Sequence, residues 1–148
     1  MTIKSHPAVR ILYSSHRTTI SQLSQLAGTV AKKLMADAVS NEFLISGPIY
    51  WIYEGMDGKP DTVFYLDIAV PVQGPGQSQE FEIKEMPAFH ALTYQHEGSW
   101  EEMGDSYALV FKEISTIKAR PSGVVRELYL NIDFENQCNN RTEIQVGL

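Results

Sequence analysis

Leu66-Asp67-Ile68-Ala69-Val70-Pro71-Val72 and the terminal Thr142-Glu143-Ile144-Gln145-Val146-Gly147-Leu148 are two versions of one stretch, 76 residues apart. In the first version, Phe64, Leu66, Ile68, Val70 and Val72 fall on every second position, the period of a strand with one buried face. Upstream, Tyr50 aligns with Tyr129 at an offset of 79, and Val30 and Lys32 match Val110 and Lys112 at 80. The same offset of 80 relates Pro7-Ala8-Val9 to Pro87-Ala88-Phe89, Leu12 to Leu92 and His16 to His96. Shared order with a slowly drifting offset marks an internal duplication. The chain therefore reads as a single domain over residues 1–148, made of two repeats at about 5–73 and 80–148.

Each repeat has the same internal order. In the first, Val9-Arg10-Ile11-Leu12-Tyr13 predicts a strand. A helix follows, with Thr19 as N-cap and Gln22 as its capping-box partner, and Ile20, Leu23, Ala27, Val30 and Leu34 form its apolar stripe. Strands at about 43–53 and 62–72 complete the unit, joined by the turn residues Met56-Asp57-Gly58-Lys59-Pro60. In the second repeat, strands are expected near 80–85 and 88–96, the first an added edge piece after Gly74-Pro75-Gly76. Ser99 and Glu102 cap a helix that buries Met103, Tyr107, Val110, Ile114 and Ile117, with Pro121 and Gly123 ending the segment. Strands near 124–132 and 142–147 close the chain. The expected class is α+β: two βαββ modules related by a pseudo-twofold axis, one antiparallel sheet, and both helices on one face.

Composition bounds the function. With 148 residues, 43% hydrophobic and 20% charged, the chain is an ordinary globular one, long enough to bury a core without disulfides or metal. Its net charge of −6 lies wholly in residues 75–148, which carry twelve acidic and six basic residues against six of each before them. That balance argues against direct nucleic-acid binding and against an anionic membrane surface, both of which run on Lys and Arg. No apolar run approaches the roughly 20 residues of a membrane span, and no signal core opens the chain. With Cys138 alone, a reducing cytoplasm is the expected location. No cofactor or metal is implied. There is no P-loop, no nucleophile elbow and no dinucleotide fingerprint, and His6, His16, His90 and His96 form no HxxxH pair. His16 and His96, repeat-mates before the helix starts, suit turn stabilisation. Cys138 lies in an Asn/Gln-rich loop with no base fixed beside it.

Five stretches carry a family resemblance: Gly47-Pro48-Ile49-Tyr50, the Leu66–Val72 strand, His96-Glu97-Gly98-Ser99-Trp100-Glu101-Glu102, Arg126-Glu127-Leu128-Tyr129-Leu130 and Thr142-Glu143-Ile144-Gln145-Val146. In this order and spacing they resemble the GyrI-like domain, over about residues 5–148. That family includes the bacterial gyrase-inhibitory protein and the effector-binding domains of AraC-type and MerR-type multidrug regulators. The resemblance implies a pocket between the two modules for hydrophobic, often cationic, aromatic compounds, with a buried glutamate at Glu127 and a tyrosine at Tyr129. Trp100 stands where the family's His-x-Gly-x-aromatic motif normally has tyrosine. Only about six residues precede the first expected strand, so the DNA-binding domain of the regulators is not expected here and a stand-alone ligand-binding protein is.

The candidate ligand-binding residues are Glu127, Tyr129, Tyr50, Trp100, Trp51, Tyr53, Tyr65 and Tyr107. Alternation puts Glu127 on one face of its strand with Tyr129 and Asn131, and Leu128, Leu130 and Ile132 on the other, towards the helices. Pattern alone reads Glu127 as a solvated carboxylate on an open sheet face; the resemblance makes it the anionic floor of a pocket with aromatic walls. As repeat-mates, Tyr50 and Tyr129 are expected at equivalent places beside the axis. Two further readings follow from the resemblance. One is a small hydrolase of reactive electrophiles with Glu127 as general base. The other is a protein-interaction module, with gyrase or a separately encoded regulator as partner.

Overall fold

A computed structural model describes all 148 residues. The strands are β1 (Thr2–His6), β2 (Val9–Thr18), β3 (Leu44–Ile45), β4 (Ile49–Glu54), β5 (Phe64–Gln73), β6 (Glu82–Met86), β7 (Phe89–Glu97), β8 (Val124–Asn131) and β9 (Arg141–Gly147). The α-helices are α1 (Thr29–Ser40) and α2 (Met103–Thr116). All strands pair antiparallel, in the order β1-β7-β9-β8-β4-β5-β2-β6, with β3 on β5. Read from the centre outwards, β4-β5-β2 mirrors β8-β9-β7, so the pseudo-twofold axis passes between β4 and β8.

The outermost strands depart from the expected order. β6 was expected at the edge of the second unit, and β1 was not expected at all. In the structure β6 pairs with β2 of the first half, while β1 pairs with β7 of the second. The halves thus exchange their leading strands, each completing the other's sheet. The strand expected over 43–53 is also broken. Ser46-Gly47-Pro48 separates β3 from β4, where a Cβ on Gly47 would stand 3.1 Å from the Pro71 ring.

The core lies between the sheet and the helices. Phe64, Leu66, Ile68, Val70 and Val72 are all buried there, as the alternation of β5 predicts, together with Leu34 and Ala38 of α1, Val110 and Ile114 of α2, and Ile144 and Val146 of β9. The reverse face is not simply solvated, because Ile11, Ala69 and Met86 form a second small core there. α1 packs chiefly on β5 and β2, and α2 on β7. The two central strands, β4 and β8, run beneath the gap between the helices.

Both helices differ from expectation at their ends. Thr19 makes no side-chain cap. Ile20–Gln25 is a 3₁₀ segment instead, and α1 starts only after Gly28, whose φ of 76° interrupts the helix. Ser99 does cap its segment, accepting from the Glu101 amide at 3.2 Å, and Trp100–Glu102 form a 3₁₀ turn before α2. His96 braces this start, its Nε2–H donating to the Ser99 carbonyl at 2.8 Å while Nδ1 meets Ser106 Oγ at 2.8 Å. His16 instead meets Ser14 within its own strand.

α2 ends at Thr116, before Pro121 is reached, because Lys118 turns left-handed at φ 56°. The Ala119 and Lys118 amides then reach back to the Ile114 and Ser115 carbonyls, which is a Schellman closure. Seventy-six positions earlier α1 closes identically, with Glu42 at φ 62° and the Phe43 and Glu42 amides on the Ala38 and Val39 carbonyls. Glycine at either left-handed position, Glu42→Gly or Lys118→Gly, is expected to add about 0.5–1 kcal/mol to stability by removing the Cβ strain. Gly76→Ala is expected to lower it, since the new Cβ would lie 2.5 Å from the Asn41 carbonyl oxygen. Urea denaturation of the three variants checks both signs.

Candidate functional site

The gap between the helices is a cleft of about 1030 Å³, floored by β4 and β8. Pleating sends Ile49, Trp51 and Tyr53 of β4 and Val125, Glu127 and Tyr129 of β8 into it. The helix-facing side of β8 is therefore the Glu127 side. The expectation that Leu128 and Leu130 face the helices is reversed: Leu128 is buried on the other face, and Leu130 is exposed. A bulge between Tyr129 and Asn131 changes the parity, so Ile132 returns to the cleft.

The register corrects one repeat alignment. Trp51 pairs with Ile68 as Glu127 pairs with Ile144, and Ile68 and Ile144 are themselves mates at an offset of 76. By the same offset the mate of Tyr129 is Tyr53, not Tyr50, and the mate of Glu127 is Trp51. The alignment at 79 is wrong by three residues, an odd number, which moves a side chain to the opposite face. Tyr50 accordingly lies on the reverse face beside Ile11 and Ala69. Tyr65 is also outside the cleft, 59% exposed, with the Arg17 guanidinium 5.9 Å from its ring centre. The other six candidates all line the cleft.

Glu127 is 5% exposed and accepts three tyrosine hydroxyls. Tyr107 donates to Oε1 at 2.5 Å, Tyr129 to Oε2 at 2.5 Å and Tyr53 to Oε2 at 3.1 Å. No lysine or arginine pairs with it; the ion pairs of the molecule are Lys84–Asp67 and Arg141–Glu97, both partly exposed. Burial raises the Glu127 pKa above its ordinary value. The three hydroxyls, and at longer range His96, oppose that rise without cancelling it. Burial, and then the neighbouring carboxylate, push all three tyrosines well above the usual phenol range, so they stay donors at any physiological pH.

The walls are aromatic. The Tyr129 ring lies edge-on between Trp51 at 5.9 Å and Trp100 at 6.0 Å, and Trp100 is held by its Nε1–H donating to Thr142 Oγ1 at 3.1 Å. Phe134 packs on the outer side of Trp100 at 5.6 Å, and Phe111 stacks beside Tyr107 at 6.4 Å. Sequence reasoning passed over both phenylalanines. For Phe111 a signal existed: Trp100, Met103, Gly104, Tyr107, Ala108 and Phe111 recur at helical spacing along the side of α2 that lines the cleft, overlapping the core stripe at Met103 and Tyr107. For Phe134 and Met56, both in loops, no periodicity could have shown it.

A carboxyl whose folded-state pKa is raised favours folding most below its unfolded value of about 4.5, and that contribution is lost as pH climbs through the folded value. Glu127→Gln, which cannot ionise, is therefore expected to gain in relative stability from about pH 4 upward and to level off above the Glu127 pKa. Each kcal/mol of charge-burial cost should widen the gap in Tm by roughly 2–4 °C. Paired melting curves across that range check the sign.

Comparison with known proteins agrees with the fold. The GyrI-like small molecule binding domain family model matches residues 1–148. The EcmrR C-terminal domain superposes with a TM-score of 0.81 at 16% identity, covering 99% of this chain and 94% of that one. In the EcmrR–DNA complex, the matched part is 56% of the EcmrR chain. SAV2435 bound to tetraphenylphosphonium has a TM-score of 0.67 at 13% identity, covering 99% and 93%. A hydrolase from Listeria innocua has a TM-score of 0.64 at 10% identity, covering 98% and 90%. No curated protein sequence matches. The resemblance read from five stretches over about residues 5–148 thus holds over the entire length, and the chain belongs to the GyrI-like small-molecule-binding domain family.

Proposed function

We propose that this protein is a cytoplasmic receptor for hydrophobic aromatic cations, which it takes into the cleft between α1 and α2. The observation that carries this reading is the uncompensated carboxylate of Glu127. A buried anion without a cation is costly, and its own surroundings supply only neutral hydroxyls. An organic cation supplies the missing charge, and its apolar bulk meets Trp51, Trp100 and Tyr129, whose faces add about 0.5–2 kcal/mol each. Shape fits as well: the cleft is within reach of a ligand of several aromatic rings. SAV2435, of the same fold, was solved with the lipophilic cation tetraphenylphosphonium. Because the cleft holds a single deep carboxylate, a delocalised monocation suits it better than a compact, strongly hydrated one, which would have to shed water to reach Glu127.

Tetraphenylphosphonium, titrated by tryptophan quenching, is expected to bind at micromolar strength or better. Glu127→Gln should weaken it at least tenfold while changing the neutral triphenylphosphine oxide by less than threefold; equal losses would remove the charge mechanism. If an electrophilic substrate were consumed by the wild type and spared by Glu127→Ala, hydrolysis would replace sequestration as the function. Size selection can be tested separately at Gly104 on α2, where an added Cβ meets nothing within 4 Å and would project into the cleft. Gly104→Leu should exclude tetraphenylphosphonium and spare a smaller cation such as benzyltrimethylammonium.

A further inference from the structure

Residue 126 adjoins Glu127 in β8 and points the other way, and it too is a buried charge without a counter-ion. Arg126 is 5% exposed and belongs to neither ion pair of the molecule. Its guanidinium lies 3.9 Å from the centre of the Phe89 ring, and its Nε–H is buried with no acceptor. An arginine cannot shed its charge to escape this position, and buried arginines are ordinarily matched by a carboxylate or phosphate.

Glu143, the carboxylate on this face of β9, forms no ion pair with Arg126; its Oε1 accepts Gln145 Nε2 at 2.7 Å. Gln145 stands directly across from Arg126 in β9 and is 1% exposed, and its Oε1 is likewise buried without a donor. Tyr50 lies diagonally across in β4, two residues from Ile52, which pairs with Arg126, and so on the same face. It is half-buried, is close enough for its charge state to be coupled to Arg126, and makes no hydrogen bond through its hydroxyl. A free guanidinium, a free phenol and an orphan acceptor thus converge on the reverse face of the sheet, where neighbouring and diagonal side chains are within mutual reach.

We propose that this face holds a second site, for a small oxyanion that carries a proton, with Arg126 and Tyr50 donating to its oxygens and Gln145 Oε1 accepting its hydroxyl. The guanidinium fork matches two oxygens of a carboxylate or phosphate. The orphan acceptor adds a selection rule: dihydrogen phosphate can donate to it and sulfate cannot. The site is independent of the cleft, since its side chains leave the sheet on the opposite side.

The test uses inorganic phosphate and sulfate at pH 6 and constant ionic strength, with chloride as the reference salt. Two readouts are followed, the melting temperature and the ¹H–¹⁵N signal of the Arg126 Nε–H. Phosphate at 10 mM, on the order of a weak site's Kd, is expected to raise Tm by about 1 °C and to shift the Arg126 signal saturably, with sulfate at least fivefold weaker. Arg126→Gln should abolish the response, and Tyr50→Phe should weaken phosphate at least threefold. If Arg126→Gln fails to fold, the wild-type signal and Tyr50→Phe still decide. An Arg126 signal unmoved by phosphate, or equal stabilisation of wild type and Arg126→Gln, overturns the proposal. So does a dimer that Arg126→Gln splits, since the guanidinium would then serve a second copy of the chain.

Discussion

A carboxylate buried without a cation sets the terms for the centre of this molecule. Glu127 is tolerable at its position only because three tyrosine hydroxyls converge on it, from β4, from α2 and from β8 itself. Each donor comes from a different element, so the packing of α2 against the sheet and the pairing of β4 with β8 are both requirements of one side chain. The hydroxyls neutralise nothing. They lower the cost of the charge without supplying a counter-charge, and burial still holds the Glu127 pKa above its ordinary value.

The near-symmetry of the fold explains why such a site lies at the centre. Duplication places equivalent strands on either side of the axis, and each helix packs on the outer strands of its own half. Neither helix packs chiefly on β4 or β8, so the gap between the helices is a product of the symmetry. Divergence then gives the gap its chemistry. At the paired positions nearest the axis, one copy has Trp51 and the other Glu127, a flat apolar wall opposite an anion. A symmetric pair of glutamates would repel, and a symmetric pair of indoles would have no charge preference. The exchanged strands β1 and β6 complete the arrangement, because each half lends an edge to the other and neither sheet is whole alone.

β8 is charged on both sides. Glu127 faces the cleft and Arg126 the reverse face, each buried and each without an ionic partner. Successive residues of a strand point to opposite faces, so the two charges are kept apart by the sheet itself and cannot relieve one another. The same pleat accounts for the placement of Tyr50, which left the cleft when its alignment was corrected by three residues and took its unbonded hydroxyl to the Arg126 side.

The repeated strand order, the α+β class, the alternation of β5 and the core stripe of α2 as far as Ile114 were legible in the sequence alone, because they rest on period and repeat; Ile117, expected in that stripe, lies beyond the end of α2 and is 40% exposed. Six of the eight candidate residues line the cleft, and it was the family resemblance of their stretches, not periodicity, that set Glu127 apart from a solvated carboxylate. What needed the tertiary structure was every question of face and partner. Which side of β8 the helices cover depends on how the halves meet, and alternation cannot tell one face of a strand from the other when both carry apolar residues. The exchange of β1 and β6 is a choice of partner made across some 80 residues, invisible to any local pattern. The helix ends were decided by left-handed turns at Gly28, Glu42 and Lys118, two of them at residue types that do not advertise such a turn. Three tyrosines scattered over 76 residues of sequence become one hydrogen-bonded cluster only when the sheet is assembled, since a hydrogen bond depends on distance in space and the sequence records only distance along the chain.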